Sequence, residues 1–172
     1  KKMNRFIEDL LEYSRLGRKE MDSSFIDPTI IINGLLDFYL RTYPDLKVNW
    51  ELKIETKVYA DSILLEMVLS NLLTNCVKYR SGQRPLTVSI RTEPYQSGIL
   101  LTVADNGIGF NMEYHDRIFG IFKRLHSDAE YEGAGIGLAN VQRIMHRHGG
   151  TIWAEAEEQG GAAFFCYFPG SK

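Results

Sequence analysis

Asn71, Asn75 and Lys78 stand at i, i+4 and i+7 of a stretch patterned as a helix, Ser62 to Tyr79. At about 100° per residue they share one strip about 60° wide, while Leu65, Leu69, Leu72, Leu73 and Cys76 gather on the other side. A carboxamide oxygen is a suitable ligand for Mg2+, which takes few protein ligands and leaves its other positions to water and phosphate. Lysine supplies a point charge for phosphates themselves. A solvated helix face is the plain alternative. Such faces, however, generally prefer Glu, Lys and Arg to paired Asn, a mediocre helix former.

Two further segments carry comparable signals. Asp105-Asn106-Gly107-Ile108-Gly109-Phe110 follows the apolar strand pattern Ile99 to Ala104. It is either a simple turn or a site in which the carboxylate accepts from an exocyclic amine such as adenine N6, with glycine letting the backbone close on the base. A purine lacking that amine would leave the carboxylate unpaired, the situation in which sites discriminate strongly. Gly133-Ala134-Gly135-Ile136-Gly137-Leu138-Ala139 opens a helix and leaves backbone amides available to anionic oxygens. This is not the dinucleotide fingerprint, because Leu138 occupies the position of the last glycine. No G-x-x-x-x-G-K-[ST] loop, H-E-x-x-H pair or H-R-D set is present.

These residues need elements to hold them. Asp27-Pro28 predicts a capped helix running to about Tyr43, and Asp61 caps the helix Ser62 to Tyr79. Arg84-Pro85 closes the following turn. Strands are predicted at 47–52, 57–60, 86–92, 99–104, 151–157 and 163–168, with a short helix around Tyr114 to Phe122 and a helix from Gly137 to His146. The pattern suggests a two-layer α/β sandwich, a mixed and largely antiparallel sheet covered by three helices on one face. Ahead of it, Met3, Phe6, Ile7, Leu10, Leu11 and Tyr13 form a helical stripe ended by Gly17. That stripe is either a helix packed on its own domain or a dimerising helix.

With 172 residues there is room for one domain and an additional helix. Hydrophobic residues at 44% and charged residues at 24% describe a globular chain. A net charge of −2 gives no basic excess for nucleic acid, and no apolar run approaches the about 20 residues of a bilayer span. Direct membrane contact is not expected. Cys76 and Cys166 fit buried thiols in a reducing compartment, which predicts a cytoplasmic location.

Taken in order, Asn71-Leu-Leu-Thr-Asn75-Cys-Val-Lys78-Tyr79, Asp105-Asn-Gly-Ile-Gly109-Phe110, Ile118-Phe119-Gly-Ile-Phe122-Lys-Arg124 and Gly133-Ala-Gly135-Ile-Gly137-Leu138-Ala139 resemble the histidine-kinase catalytic domain. They match its asparagine, first glycine, phenylalanine and second glycine boxes. The resemblance implies the ATP-binding sandwich shared with gyrase, MutL and heat-shock ATPases. Asn75 would ligate Mg2+, Asn71 and Lys78 would support the phosphates, and Tyr79 would flank the nucleotide. Asp105 would take adenine N6 in a pocket shaped by Gly107, Gly109 and Phe110. Residues 111–134 would form an ATP lid, packed down by Phe119 and Phe122, with Arg124 reaching the γ-phosphate. Amides around Gly133, Gly135, Gly137 and Leu138 would hold the phosphates.

The same resemblance covers Asp9-Leu-Leu-Glu-Tyr-Ser-Arg15, which looks like the end of the second dimerisation and phosphotransfer helix. It implies that 1–17 belong to that helix, 18–24 to a link and 25–172 to the catalytic domain, with a homodimer through the N-terminal helix. A histidine-bearing dimerisation domain and a response regulator receiver would be the protein partners. His115, His126, His146 and His148 read as surface or helix-end histidines, which puts the expected acceptor upstream of Lys1. ATPase relatives carry a water-activating glutamate where this chain has Asn71, so the resemblance implies transfer to a protein rather than hydrolysis. A non-catalytic nucleotide-binding and dimerisation module is the alternative. Cys76 departs from a common alanine and reads as a core thiol. The stretch Phe122 to Glu155 looks most like phytochrome-type sensor kinases.

Overall fold

The structure, a computed structural model, describes residues 20–121 and 135–171. The N-terminal stripe of residues 1–17, and with it Phe122, Arg124 and Gly133, lie outside the described residues.

Helix α1 (Pro28–Thr42) begins where the Asp27 carboxylate accepts from the Thr29 amide at 2.9 Å, with proline in its first turn. Helix α2 (Ser62–Lys78) begins at Asp61, whose Oδ1 accepts from Ile63 and Leu64 amides at 3.0 and 3.1 Å. Helix α3 spans Gly137–Arg147. Strands β2 (Val48–Ile54), β4 (Leu86–Tyr95), β5 (Gly98–Asp105), β6 (Thr151–Glu157) and β7 (Gly161–Pro169) form one sheet in the order β2-β4-β5-β7-β6. Only β2 and β4 run parallel, since the chain crosses over through β3 (Val58–Asp61) and α2 between them; the other neighbours are antiparallel.

Alternation along the strands sends Val88 and Ile90 of β4, Leu101 and Val103 of β5, and Phe164, Cys166 and Phe168 of β7 into one core. Leu65, Leu69, Leu72 and Leu73 of α2 and Val141, Ile144 and Met145 of α3 close it from the helical side. The architecture is therefore the expected three helices on a mixed, largely antiparallel sheet. Register then decides a detail that matters for function. Asp105 lies two steps past Val103, so it falls on the helix-covered face at the end of β5.

Strand β1 (Ser23–Ile26) was not expected from sequence. It pairs antiparallel with β3, Ser24 opposite Ala60, and the Asp22 amide donates to Asp61 Oδ2 at 3.0 Å. Two serines hide its period, and its partner supplies its stability. The short helix expected around Tyr114 to Phe122 is instead a single 3-10 turn, Met112–Tyr114, capped by Asn111 and followed by turns.

His148 is more than a helix-end histidine. Its Nδ1–H donates to the Ile144 carbonyl at 2.9 Å, and its Nε2 accepts from the Asp61 amide at 3.1 Å, linking the end of α3 to the cap of α2. Burial lowers its pKa from the ordinary imidazole value, outweighing the opposing effect of the Ile144 carbonyl and Asp61. A protonated ring has no lone pair for the Asp61 amide. Because the unfolded chain takes up a proton that the folded chain resists, stability is complete above the ordinary imidazole pKa and falls as pH drops through the folded value. Urea melts at pH 7.5 and 5.5 should show this loss in the wild type and a smaller loss in His148→Gln, whose stability at pH 7.5 is lower. An equal loss in both proteins would remove His148 as the cause.

Candidate functional site

At the end of β5 the chain turns sharply under Asp105. Its Oδ1 accepts from the Gly107 amide at 2.7 Å, and its carboxylate also accepts from the Cys76 thiol on α2. Burial raises the Asp105 pKa above the ordinary carboxylate value, against the lowering effect of the Gly107, Cys76 and Ala162 hydrogen bonds. This is a buried carboxylate held in place with acceptor capacity to spare.

Backbone closes around it. A Cβ on Gly107 would run into the Tyr79 carbonyl and sit 2.7 Å from Asp105 Oδ1. Gly109 has φ +60°, and a Cβ there would strike the Glu157 carbonyl of the β6–β7 hairpin. The Ile108 amide donates to the Tyr79 carbonyl at 2.9 Å, and the Gln159 amide to the Ile108 carbonyl at 2.7 Å. The glycines of this segment thus permit contacts between the end of α2, the turn and the hairpin that no side chain would allow.

The polar strip of α2 runs beside this turn. Asn71, Asn75 and Lys78 are half-buried, whereas the leucines opposite are fully buried. Among the described residues the Asn75 carboxamide makes no hydrogen bond. Asn71 Nδ2 donates to the Met67 carbonyl at 2.8 Å, which directs its Oδ1 against Gly137: a Cβ there would lie 2.7 Å from that oxygen. Lys78 Nζ lies 4.7 Å from the Tyr79 ring centre. Helix α3 begins at Ile136 without a side-chain cap and without an acidic residue in its first turn, after Gly135 at φ +71°. Its first amides are directed at an electropositive terminus suited to an anion. Phe110, Phe119 and Leu138 pack against the core at the rim.

A divalent cation fits this donor set only in a particular way. No cluster of three His, Cys, Asp or Glu exists among the described residues, and a cation held through the Asn75 carboxamide would draw its other oxygens from ligand and water, a set that suits Mg2+.

Sequence reasoning missed two contributors. Cys76, read as a core thiol, is fully buried but also touches the Asp105 carboxylate. Arg84, read as part of a turn, donates to three carbonyls: Nε to Asn106 at 2.8 Å and Nη2 to Gly107 at 3.1 Å and Gln159 at 2.6 Å. Both contacts join segments far apart in the chain, and no local pattern marks them. Expectations for Phe122, Arg124 and Gly133 fall outside the described residues.

Residues 60–172 match the family profile described as histidine kinase-, DNA gyrase B-, and HSP90-like ATPase. The phytochrome-like protein Cph1 of Synechocystis is 30% identical over 167 residues, covering 97% of this chain and 22% of that protein. The chain thus spans under a quarter of the length of such curated relatives. Among solved structures, the Acinetobacter baumannii histidine kinase AdeS superposes with a TM-score of 0.78 at 23% identity, covering 96% of this chain and 77% of that one. Full-length ShkA in complex with AMPPNP gives a TM-score of 0.78 at 24% identity, covering 97% of this chain and 36% of that one. These likenesses establish the fold.

The Gly109 geometry is directly testable. Gly109→Ala should lower stability by at least about 1 to 2 kcal/mol, the cost of a left-handed alanine, with the hairpin clash in addition. Gly34→Ala, on an exposed helical site with open space, should not destabilise. Paired urea denaturation curves check this, and indistinguishable midpoints for Gly109→Ala and wild type would rule the close approach out.

Proposed function

The chain belongs to the histidine kinase-, DNA gyrase B-, and HSP90-like ATPase family, and on that premise we propose that it is the catalytic part of a sensor protein-histidine kinase. It binds Mg-ATP and passes the γ-phosphoryl group to a histidine on a dimerisation domain of its parent protein. A response regulator receiver domain then takes the phosphoryl group. The parent works in the cytoplasm as a homodimer, with residues 1–17 contributing to its dimerisation helix, residues 18–24 leading from it into strand β1, where Ser23 and Ser24 already pair with β3, and residues 25–172 catalytic. Among the described residues no helix is long and apolar enough to cross a membrane.

The observation that carries this reading is the Asp105 carboxylate, buried on the covered face of the sheet with acceptor capacity to spare. An adenine N6 amine supplies a further donor to this carboxylate, and an oxo group in its place meets a repelling charge. Beside it, the Asn75 carboxamide holds Mg2+, which when bound neutralises charge on the phosphates. Asn71, Lys78 and the uncapped start of α3 around Gly135, Gly137 and Leu138 orient the phosphates, while Tyr79, Gly107, Gly109 and Phe110 wall the nucleotide. Phe119, Phe122, Gly133 and Arg124 belong to a lid at 111–134, Arg124 meeting the γ-phosphate. Transfer breaks the bond between the γ-phosphorus and the bridging oxygen, leaving ADP, and forms a bond to the acceptor imidazole nitrogen. Catalysis here is positioning and charge neutralisation.

Titration calorimetry with Mg-ATP tests the reading. Asp105→Asn should weaken binding about 10- to 100-fold, as expected for losing a hydrogen bond to a charged group, with no loss of stability in the absence of nucleotide. That second half follows from the raised pKa: the buried charge opposes folding at neutral pH, and Asp105→Asn removes it while keeping an oxygen for the Gly107 amide. Asn75→Ala should abolish the dependence on Mg2+. With radiolabelled ATP, a separately made histidine-bearing domain should acquire label and the chain alone should not. Unchanged affinity in both variants would end the nucleotide reading; steady phosphate release without acceptor would replace transfer by hydrolysis.

A further inference from the structure

We propose that Arg84 is the positioning residue that aims the Asp105 carboxylate at its purine partner, an inference that rests on the nucleotide reading above. The contact runs through one peptide unit. The Asn106 carbonyl accepts from Arg84 Nε at 2.8 Å, and the N–H at the other end of the same planar unit, that of Gly107, donates to Asp105 Oδ1 at 2.7 Å. Fixing the carbonyl fixes the direction of that N–H, and the cationic donor polarises the amide toward the carboxylate.

The next peptide repeats the arrangement. The Gly107 carbonyl accepts from Arg84 Nη2 at 3.1 Å, and the following N–H, of Ile108, donates to the Tyr79 carbonyl at 2.9 Å. Arg84 therefore orients two successive amides, one holding Asp105 and the other holding the end of α2. Its Nη2 also reaches the Gln159 carbonyl at 2.6 Å, where Gln159 sits at φ +62° in the β6–β7 turn. Among the described residues no carboxylate pairs with Arg84, so its charge is spent on carbonyls. A planar fork suits three carbonyls in fixed directions; an ammonium, a point charge on a flexible stem, does not.

A residue that merely stabilises the turn would lower affinity for any nucleotide. One that aims Asp105 acts on the N6 amine alone. Affinities of wild type, Arg84→Ala, Arg84→Lys and Asp105→Asn for Mg-ATP and Mg-ITP separate these, since inosine carries an oxo group in place of the amine. Folding of each variant is checked by circular dichroism. Arg84→Ala should lose about tenfold in ATP affinity while its ITP affinity changes less than about twofold, so its selectivity moves toward that of Asp105→Asn. Arg84→Lys should lose selectivity likewise, and it carries the test should the alanine variant not fold. Equal losses for ATP and ITP, or full selectivity in either Arg84 variant, overturn the assignment and leave the nucleotide reading standing. A wild type that binds ATP no better than ITP overturns both.

Discussion

A single carboxylate placed on the covered side of a sheet sets the terms for the rest of this molecule. Asp105 follows Val103 and Leu101 on the face that packs against helices, and burial there disfavours its charge. The Gly107 amide and the Cys76 thiol offset part of that cost, and an ionised carboxylate has acceptor capacity for more. Holding it requires the turn beneath to fold back within hydrogen-bond distance of its own side chain. This in turn requires glycine at 107, where any side chain would meet Tyr79, and brings the β6–β7 hairpin so close that Gly109 and Gly161 have no room for a Cβ. The glycines of this region are consequences of where the charge sits.

Helix α2 serves both layers. Its leucines fill the core, which fixes the rotation of the helix and so the place of Asn71, Asn75 and Lys78 on the other side. Asn71 then couples two elements. With Nδ2 committed to the Met67 carbonyl, its Oδ1 is pressed toward Gly137, so the start of α3 and the strip on α2 share one cleft. At the far end His148 ties α3 back to the α2 cap. Helix α3 is thus held against α2 at its start by Asn71 and at its end by His148, the kind of fixed placement that positioning catalysis needs.

Much of this was legible in the sequence, for identifiable reasons. Asp27-Pro28 and Asp61 are local capping signals, and both helices start where they say. The leucine periodicity of α2 and the alternation in β4 and β7 encode which faces are buried, and so the two-layer architecture. Strand β1 was invisible because Ser23 and Ser24 have no apolar period and the strand exists through its pairing with β3. The short helix read near Tyr114 shrank to one 3-10 turn, since Asn111 caps a start that nothing downstream continues among the described residues. Cys76 and Arg84 escaped because their partners lie 29 and at least 22 residues away, at Asp105 and Asn106, and no spacing rule joins a helix or loop residue to a strand end.

Asn71 bears on the type of chemistry the cleft supports. Hydrolysis needs a base that can accept a proton from water, and a carboxamide has none at neutral pH. The geometry sharpens the point, because Asn71 Nδ2 is bonded to its own helix and Oδ1 lies close to Gly137. An amide so constrained can steady a ligand oxygen through its position but cannot activate a nucleophile. The acceptor proposed above, the neutral imidazole nitrogen of a histidine, is a nucleophile that needs no such activation. On the proposed reading, this arrangement suits phosphoryl transfer to a second domain better than release of phosphate into water.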